Sequence, residues 1–157
     1  MPRQRLSFHL NRSVVALALL TTALDALTKA WARHDLARHA IHVLGFVWLR
    51  LQYNGGVSFS INQTGPLVTT IATVVVALAV VLVGVNAKRG APAIGFGLLI
   101  GGGLANVVDR LVASTHRVTD FIAVSSFPVF NLADVSITVG FVVLMVSALR
   151  GEALLTR

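Results

Sequence analysis

The chain contains no cysteine, which excludes disulfides, thiolate nucleophiles and cysteine-based metal sites. Charge is scarce as well. Only 12% of the 157 residues are charged, against 55% hydrophobic, and the mean hydropathy is +0.81. That balance is too apolar for a soluble domain of this length and indicates an integral membrane protein. No internal repeat, low-complexity tract or soluble linker interrupts the sequence, so residues 1–157 read as one domain. Familiar hydrolase signatures are missing too. There is no Gly-x-Ser-x-Gly elbow, and His9, His34, His39, His42 and His116 fit no His-Glu-x-x-His or similar ligand spacing. A metal site is therefore not expected, nor any other cofactor.

What the chain does have is four long apolar segments, about 13–31, 66–85, 93–109 and 132–149. Each is near the ~20 residues that cross a ~30 Å hydrocarbon core as helix. The net charge of +7 is not gathered into a nucleic-acid-binding patch; its clusters flank the spans. Arg3, Arg5 and Arg12 precede the first, Lys88 and Arg89 lie between the second and third, and Arg150 and Arg157 follow the fourth. These flanks, and so both termini, are expected in the cytoplasm. Arg33, Arg38, Arg50, Arg110 and Arg117 then fall on the opposite side. The amino end resembles a secretory signal but is expected to be retained, because Lys29 and Trp31 crowd the only Ala-x-Ala-like site and the bundle needs the helix.

Two polar stretches lie outside the membrane in this topology. The first, residues 33–65, is too long for a mere connector. Val47, Leu49, Leu51 and Tyr53 alternate there with Trp48, Arg50 and Gln52. After Asn54-Gly55-Gly56, the apolar Val57, Phe59 and Ile61 alternate with Ser58, Ser60 and Asn62. Period two around Asn-Gly predicts a β-hairpin whose apolar face rests on lipid or on helix ends. In the second stretch, residues 111–130, Phe127-Pro128 keeps the backbone extended before the last helix. The predicted architecture is an all-α membrane protein with four transmembrane helices and a small extracytoplasmic β-hairpin or sheet element.

Acids near such spans carry the functional signal. Asp120 and Asp134 flank the end of the second polar stretch. A carboxylate at a bilayer rim is costly to ionise without partners, so two converging on one spot point to a catalytic pair sharing a proton. Asn131 as N-cap and Asp134 as a favourable first-turn charge would explain that end of the motif alone, but not Asp120. Asp25 and Lys29, four apart on the first span, suit an ion pair better than direct catalysis. Asn54 suits a turn. Asn106, Asp109 and Arg110 share one side of a helix end, where they either hold a substrate carbonyl or tie the helix to a neighbour. Gly97, Gly101, Gly102 and Gly103 suit close helix packing. A small proton-coupled transporter relaying through Asp25, Asp109 and Asp134 is the alternative, disfavoured by the lack of inverted repeats and broken helices.

Taken in order, these motifs resemble the lipoprotein signal peptidases, or signal peptidase II, over nearly the full length. The residues that carry the likeness are Asp25-Ala26-Leu27-Thr28-Lys29, Asn54-Gly55-Gly56-Val57-Ser58-Phe59-Ser60, Gly102 to Arg110, Val118 to Ile122, and Phe127 to Asp134. Ala26 stands where the family often has glutamine, and Ser58 where alanine is usual. The resemblance implies that Asp120 and Asp134 are the catalytic aspartates and that Asn54, Asn106, Asp109, Arg110 and Asn131 line or support the site, with Asp25 and Lys29 behind them. It implies an aspartic endopeptidase of the bacterial cytoplasmic (inner) membrane, acting at the extracytoplasmic face. The expected substrate is a diacylglyceryl-modified prolipoprotein, cleaved before its lipidated cysteine. The expected partners are membrane lipid and no nucleic acid, and the expected state is a monomer.

Overall fold

A computed structural model describes residues 10–56 and 66–156. The elements are α1 (Arg12–Asp35), β1 (Ile41–Leu44), β2 (Val47–Asn54), α2 (Pro66–Gly84), α3 (Ala91–Val112), β3 (Val118–Val124) and α4 (Leu132–Leu149). Four of them are helices long and apolar enough to cross a membrane. Two run past the limits expected from hydropathy: α1 continues to Asp35 and α3 to Val112. Each addition contains a charged residue bonded elsewhere in the fold, Arg33 to Asp109 and Arg110 to Gly56, so an apolar window stops short of it.

Local signals account for the helix starts. Asn11 caps α1 by accepting from the Ser13 N–H at 3.0 Å. Pro92 lies in the first turn of α3, where its missing N–H costs nothing. Asn131 and Asp134 form a reciprocal capping box on α4.

α3 is the central helix, packed against α1, α4 and α2. Its glycines allow that closeness. A Cβ on Gly101 would come within 2.7 Å of the Ala18 carbonyl oxygen, and one on Gly102 within 2.5 Å of the Ala133 oxygen. Gly97 likewise meets Leu17. Gly103 departs from the packing role expected for it: its nearest neighbour would be the Ala77 Cβ at 4.0 Å, and it lines a cavity between helices. Phe96, Ile100, Val14, Ala18 and Leu144 form the core at the end opposite the sheet. α2 leans chiefly on α3 and turns Ile71, Val75, Leu78 and Leu82 outward, as suits a helix solvated by lipid tails.

The extended elements form one antiparallel sheet in the order β1-β2-β3. A hairpin that the alternation did not place joins β1 to β2 through a tight turn at Gly45, with φ +48°. Asn54 ends β2 and does bend the chain, its Oδ1 accepting from the Gly56 N–H at 2.9 Å. The second strand expected at Val57, Phe59 and Ile61 lies outside the described residues. The partner on that side of β2 is β3, whose residues are covered on nearly every side. A strand buried on both faces has no period-two alternation to betray it. Val47, Leu49 and Leu51 alternate with exposed Trp48, Arg50 and Gln52, and the apolar face rests with Phe121 on Ala32 and Leu36 at the end of α1.

Two glycines test this packing. Gly101→Ala forces a methyl against backbone and should cost about 1–3 kcal/mol as overpacking. Gly103→Ala has room and gains helix propensity, so its melting temperature in detergent should match or exceed that of the parent. The reverse order of the two melting temperatures would contradict the packing.

Candidate active site

Every acid singled out from the sequence stands at the sheet end of the bundle, each held by a different element. Asp25 is fully buried in α1, and its Oδ2 lies 2.8 Å from Lys29 Nζ one turn on. Its Oδ1 accepts the Ala133 N–H at 2.7 Å, which ties α1 to the start of α4. The ion pair expected from the four-residue spacing is thus present. Lys29 also donates to Asn106 Oδ1 at 2.8 Å and lies 3.6 Å from Asp109 Oδ2.

Those bonds fix which way two amides point. An ammonium only donates, so the Asn106 oxygen must face Lys29 and its NH2 must face away. That NH2 donates to Asp134 Oδ1 at 3.0 Å. The Asn131 oxygen is taken by the Asp134 N–H at 2.9 Å, so its NH2 points to Asp120 Oδ1, 2.7 Å away. The Asn131 N–H closes the capping box on Asp134 Oδ2 at 3.2 Å. A weaker bond of 3.3 Å joins Asn131 Nδ2 to Asn106 Oδ1. Asp120 and Asp134 are thus connected through two buried amides, each presenting N–H to one carboxyl group.

Arg110 is buried and donates from Nη2 to the Gly56 carbonyl at 2.7 Å, holding the chain just after Asn54. Asp109 faces the other way, toward Arg33 and Thr119. The three residues gathered on one side by sequence spacing thus divide among three tasks: Asn106 toward Asp134, Asp109 behind β3, and Arg110 toward the first polar stretch.

A cavity of about 290 Å³ separates α2 from α3 and α4. Asp120, Asp134, Asn54 and Arg110 form its polar end, and Val76, Ala77, Leu99 and Ile137 its apolar length. A second, of about 370 Å³, reaches Asn54 and Asp134 from the other side of α4 and is walled by Phe127, Pro128, Phe130, Val135 and Val139. Burial and the neighbouring Asp134 push the Asp120 carboxyl from 3.8 up to about 6, while the Asn54 and Asn131 amides and Lys29 pull it back. Its Oδ2 is buried and has no hydrogen-bond partner among the described residues.

Sequence reasoning missed Thr119 and Arg33. Thr119 lay in a strand without alternation. Arg33 was counted only as a topological charge, although it continues the four-residue step from Asp25 and Lys29 along one face of α1.

The geometry can be set beside known proteins. Residues 17–150 match the family model for signal peptidase (SPase) II. Among similar proteins is a lipoprotein signal peptidase of Chlorobium phaeobacteroides (strain BS1), 36% identical over 146 residues, covering 82% of this chain and 91% of the relative. Another, from Rhodococcus jostii (strain RHA1), is 34% identical over 156 residues and covers 96% and 79%. A bacterial membrane enzyme solved by the in meso method at 2.3 Å resolution shares the fold, with TM-score 0.76 at 24% identity and 88% of each chain covered.

The buried pair yields a stability test. Lys29→Met strands Asp25 without its cation and should cost about 3–5 kcal/mol, whereas replacing both partners by apolar residues should cost far less. Denaturation in detergent checks this. Equal losses in the single and double variants would contradict it.

Proposed function

This chain belongs to the signal peptidase II family, and from that premise we propose that it removes the signal peptide from diacylglyceryl-modified prolipoproteins by an aspartic mechanism. One observation carries the mechanism. Lys29 is engaged by Asp25, Asp109 and Asn106, Arg33 by Asp109, and Arg110 donates to a backbone carbonyl. Among the described residues no ion pair reaches Asp120 or Asp134; they receive neutral amides. Arg110 shares their cavity but donates to Gly56, and two carboxyl groups in one partly apolar cavity with no salt bridge are best neutralised by retaining a proton.

That proton makes the pair an acid and a base at once. The ionised member takes a proton from water as the oxygen attacks the scissile carbonyl carbon. The protonated member donates to the carbonyl oxygen. Collapse of the tetrahedral species breaks the C–N bond, and the proton passes to the departing nitrogen. The raised value for Asp120 favours the proton resting there. No acyl-enzyme and no metal enters this scheme.

The apolar length of the first cavity suits a signal helix entering from lipid between α2 and α4, since α2 is braced chiefly by α3. In this reading the sheet end faces out of the cytoplasm, because Arg12, Lys88, Arg89 and Arg150 gather at the other end. Val43, Leu44, Phe46 and Trp48 are exposed on β1, β2 and their turn, and they suit a platform lying on the membrane interface. The proton-coupled transporter finds no support among the similar proteins.

Purified protein given a diacylglyceryl-modified prolipoprotein peptide should release the signal peptide, and Asp120→Asn or Asp134→Asn should abolish release while the protein stays folded. Turnover by either variant would end the dyad assignment. As pH rises through the Asp120 value the pair loses its shared proton, so kcat/KM should fall with a midpoint near the value of about 6. It should fall again in acid, where both carboxyls are protonated. Asn54→Ala removes an amide that favours the carboxylate and should move the alkaline midpoint upward. An unmoved midpoint, or one moved down, would contradict that role for Asn54.

A further inference from the structure

Arg33 belongs to none of the sequence motifs, yet it sits where the buried ion network meets the strand bearing Asp120. Its Nη1 donates to Asp109 Oδ1 and to Thr119 Oγ1, each at 3.0 Å. The other Asp109 oxygen accepts the Thr119 N–H at 2.6 Å, so Arg33, Asp109 and Thr119 close a ring of hydrogen bonds. The Thr119 carbonyl accepts a long bond of 3.4 Å from Asn131. The amide, carbonyl and hydroxyl of the residue preceding Asp120 are therefore all held.

The β2–β3 ladder is irregular between Leu49 and Gln52, the segment opposite Phe121, which adjoins Asp120. Such a bulge weakens local strand pairing. On the far side of Asp120 the Phe121 and Ile122 N–H groups both bond to the Phe130 carbonyl, at 3.0 and 2.8 Å, and on the near side the ring at Thr119 does the holding. Successive residues of β3 also face opposite ways. Val118 and Asp120 line the cavity shared with Asp134, whereas Arg117 and Thr119 line a separate one of about 410 Å³ together with Arg33. Arg33 thus acts from behind the strand, away from the proposed substrate groove.

We propose that Arg33 is a positioning residue for hydrolysis: by pinning Asp109 and Thr119 behind β3 it holds Asp120 against Asp134. This rests on the peptidase reading above. A misplacement of about 1 Å in a reacting group can cost ~100-fold in rate, so the expected effect lies in kcat.

The test compares steady-state cleavage of a diacylglyceryl-modified prolipoprotein peptide by the full-length parent and its variants in detergent. Arg33→Met should lower kcat about 10–100-fold with KM within about twofold. Arg33→Lys, which keeps a cationic nitrogen, should recover most of the loss. Arg117→Met removes equal charge from the same cavity and should retain parental kcat. Arg33→Met combined with Thr119→Val should be no worse than the poorer single variant. Deuterium exchange of residues 118–122, read on the same samples, should quicken in Arg33→Met. Parental kcat, a loss confined to KM, an equal loss in Arg117→Met, or unchanged exchange would each overturn the assignment. An inactive parent would instead sink the peptidase reading, and exchange at 118–122 would still decide whether Arg33 clamps the strand.

Discussion

A charge at the edge of a hydrocarbon core persists only with a partner, and this constraint arranges the sheet end of the bundle. Asp25, Asp109, Asp120 and Asp134 all gather there, and the cations are shared among them unequally. Lys29 and Arg33 serve Asp25 and Asp109. Asp120 and Asp134 receive the amides of Asn131 and Asn106. The first pair of acids ties helices and strand together. The second pair has no salt bridge among the described residues, which suits the general acid and base roles proposed for it.

The two groups of acids are joined physically. Asp25 accepts the Ala133 N–H at the start of α4, two positions after the capping Asn131 and one before Asp134. Lys29 turns the Asn106 amide so that its N–H meets Asp134. The ion pair deep in α1 thus orients a group in α3 that addresses an acid in α4. Close approach of these helices depends on glycine at 101 and 102, where any Cβ would strike backbone oxygen. Gly103, one position further, leaves space instead and opens the groove beside α2.

Much of this was legible in the chain. Hydropathy located the spans because lipid imposes a length and a polarity that few other environments share. The Asp25–Lys29 spacing announced its ion pair, and Asn131 with Asp134 announced a cap. The rest depended on contacts between segments far apart in sequence. β3 is covered on both faces and so shows no alternation. The β1–β2 turn at Gly45 carries no Asn-Gly signal, and the pairing of β2 with β3 joins segments far apart in the chain. Arg33 carried a readable signal in its four-residue step from Lys29, yet its meaning depends on Thr119, 86 positions away. The ends of α1 and α3 exceed their apolar windows for the same reason, since Arg33 and Arg110 find partners elsewhere in the fold.

The central claim is that one proton is retained by the Asp120 and Asp134 carboxyls. Difference infrared spectroscopy of protein carrying carbon-13-labelled aspartate, titrated in detergent, observes that proton directly through the carboxylic acid C=O band. The account predicts a protonated aspartate band that disappears as pH rises through a midpoint near the Asp120 value of about 6, and that is absent over this range in Asp120→Asn. A spectrum in which all aspartates have ionised well below that value would contradict it.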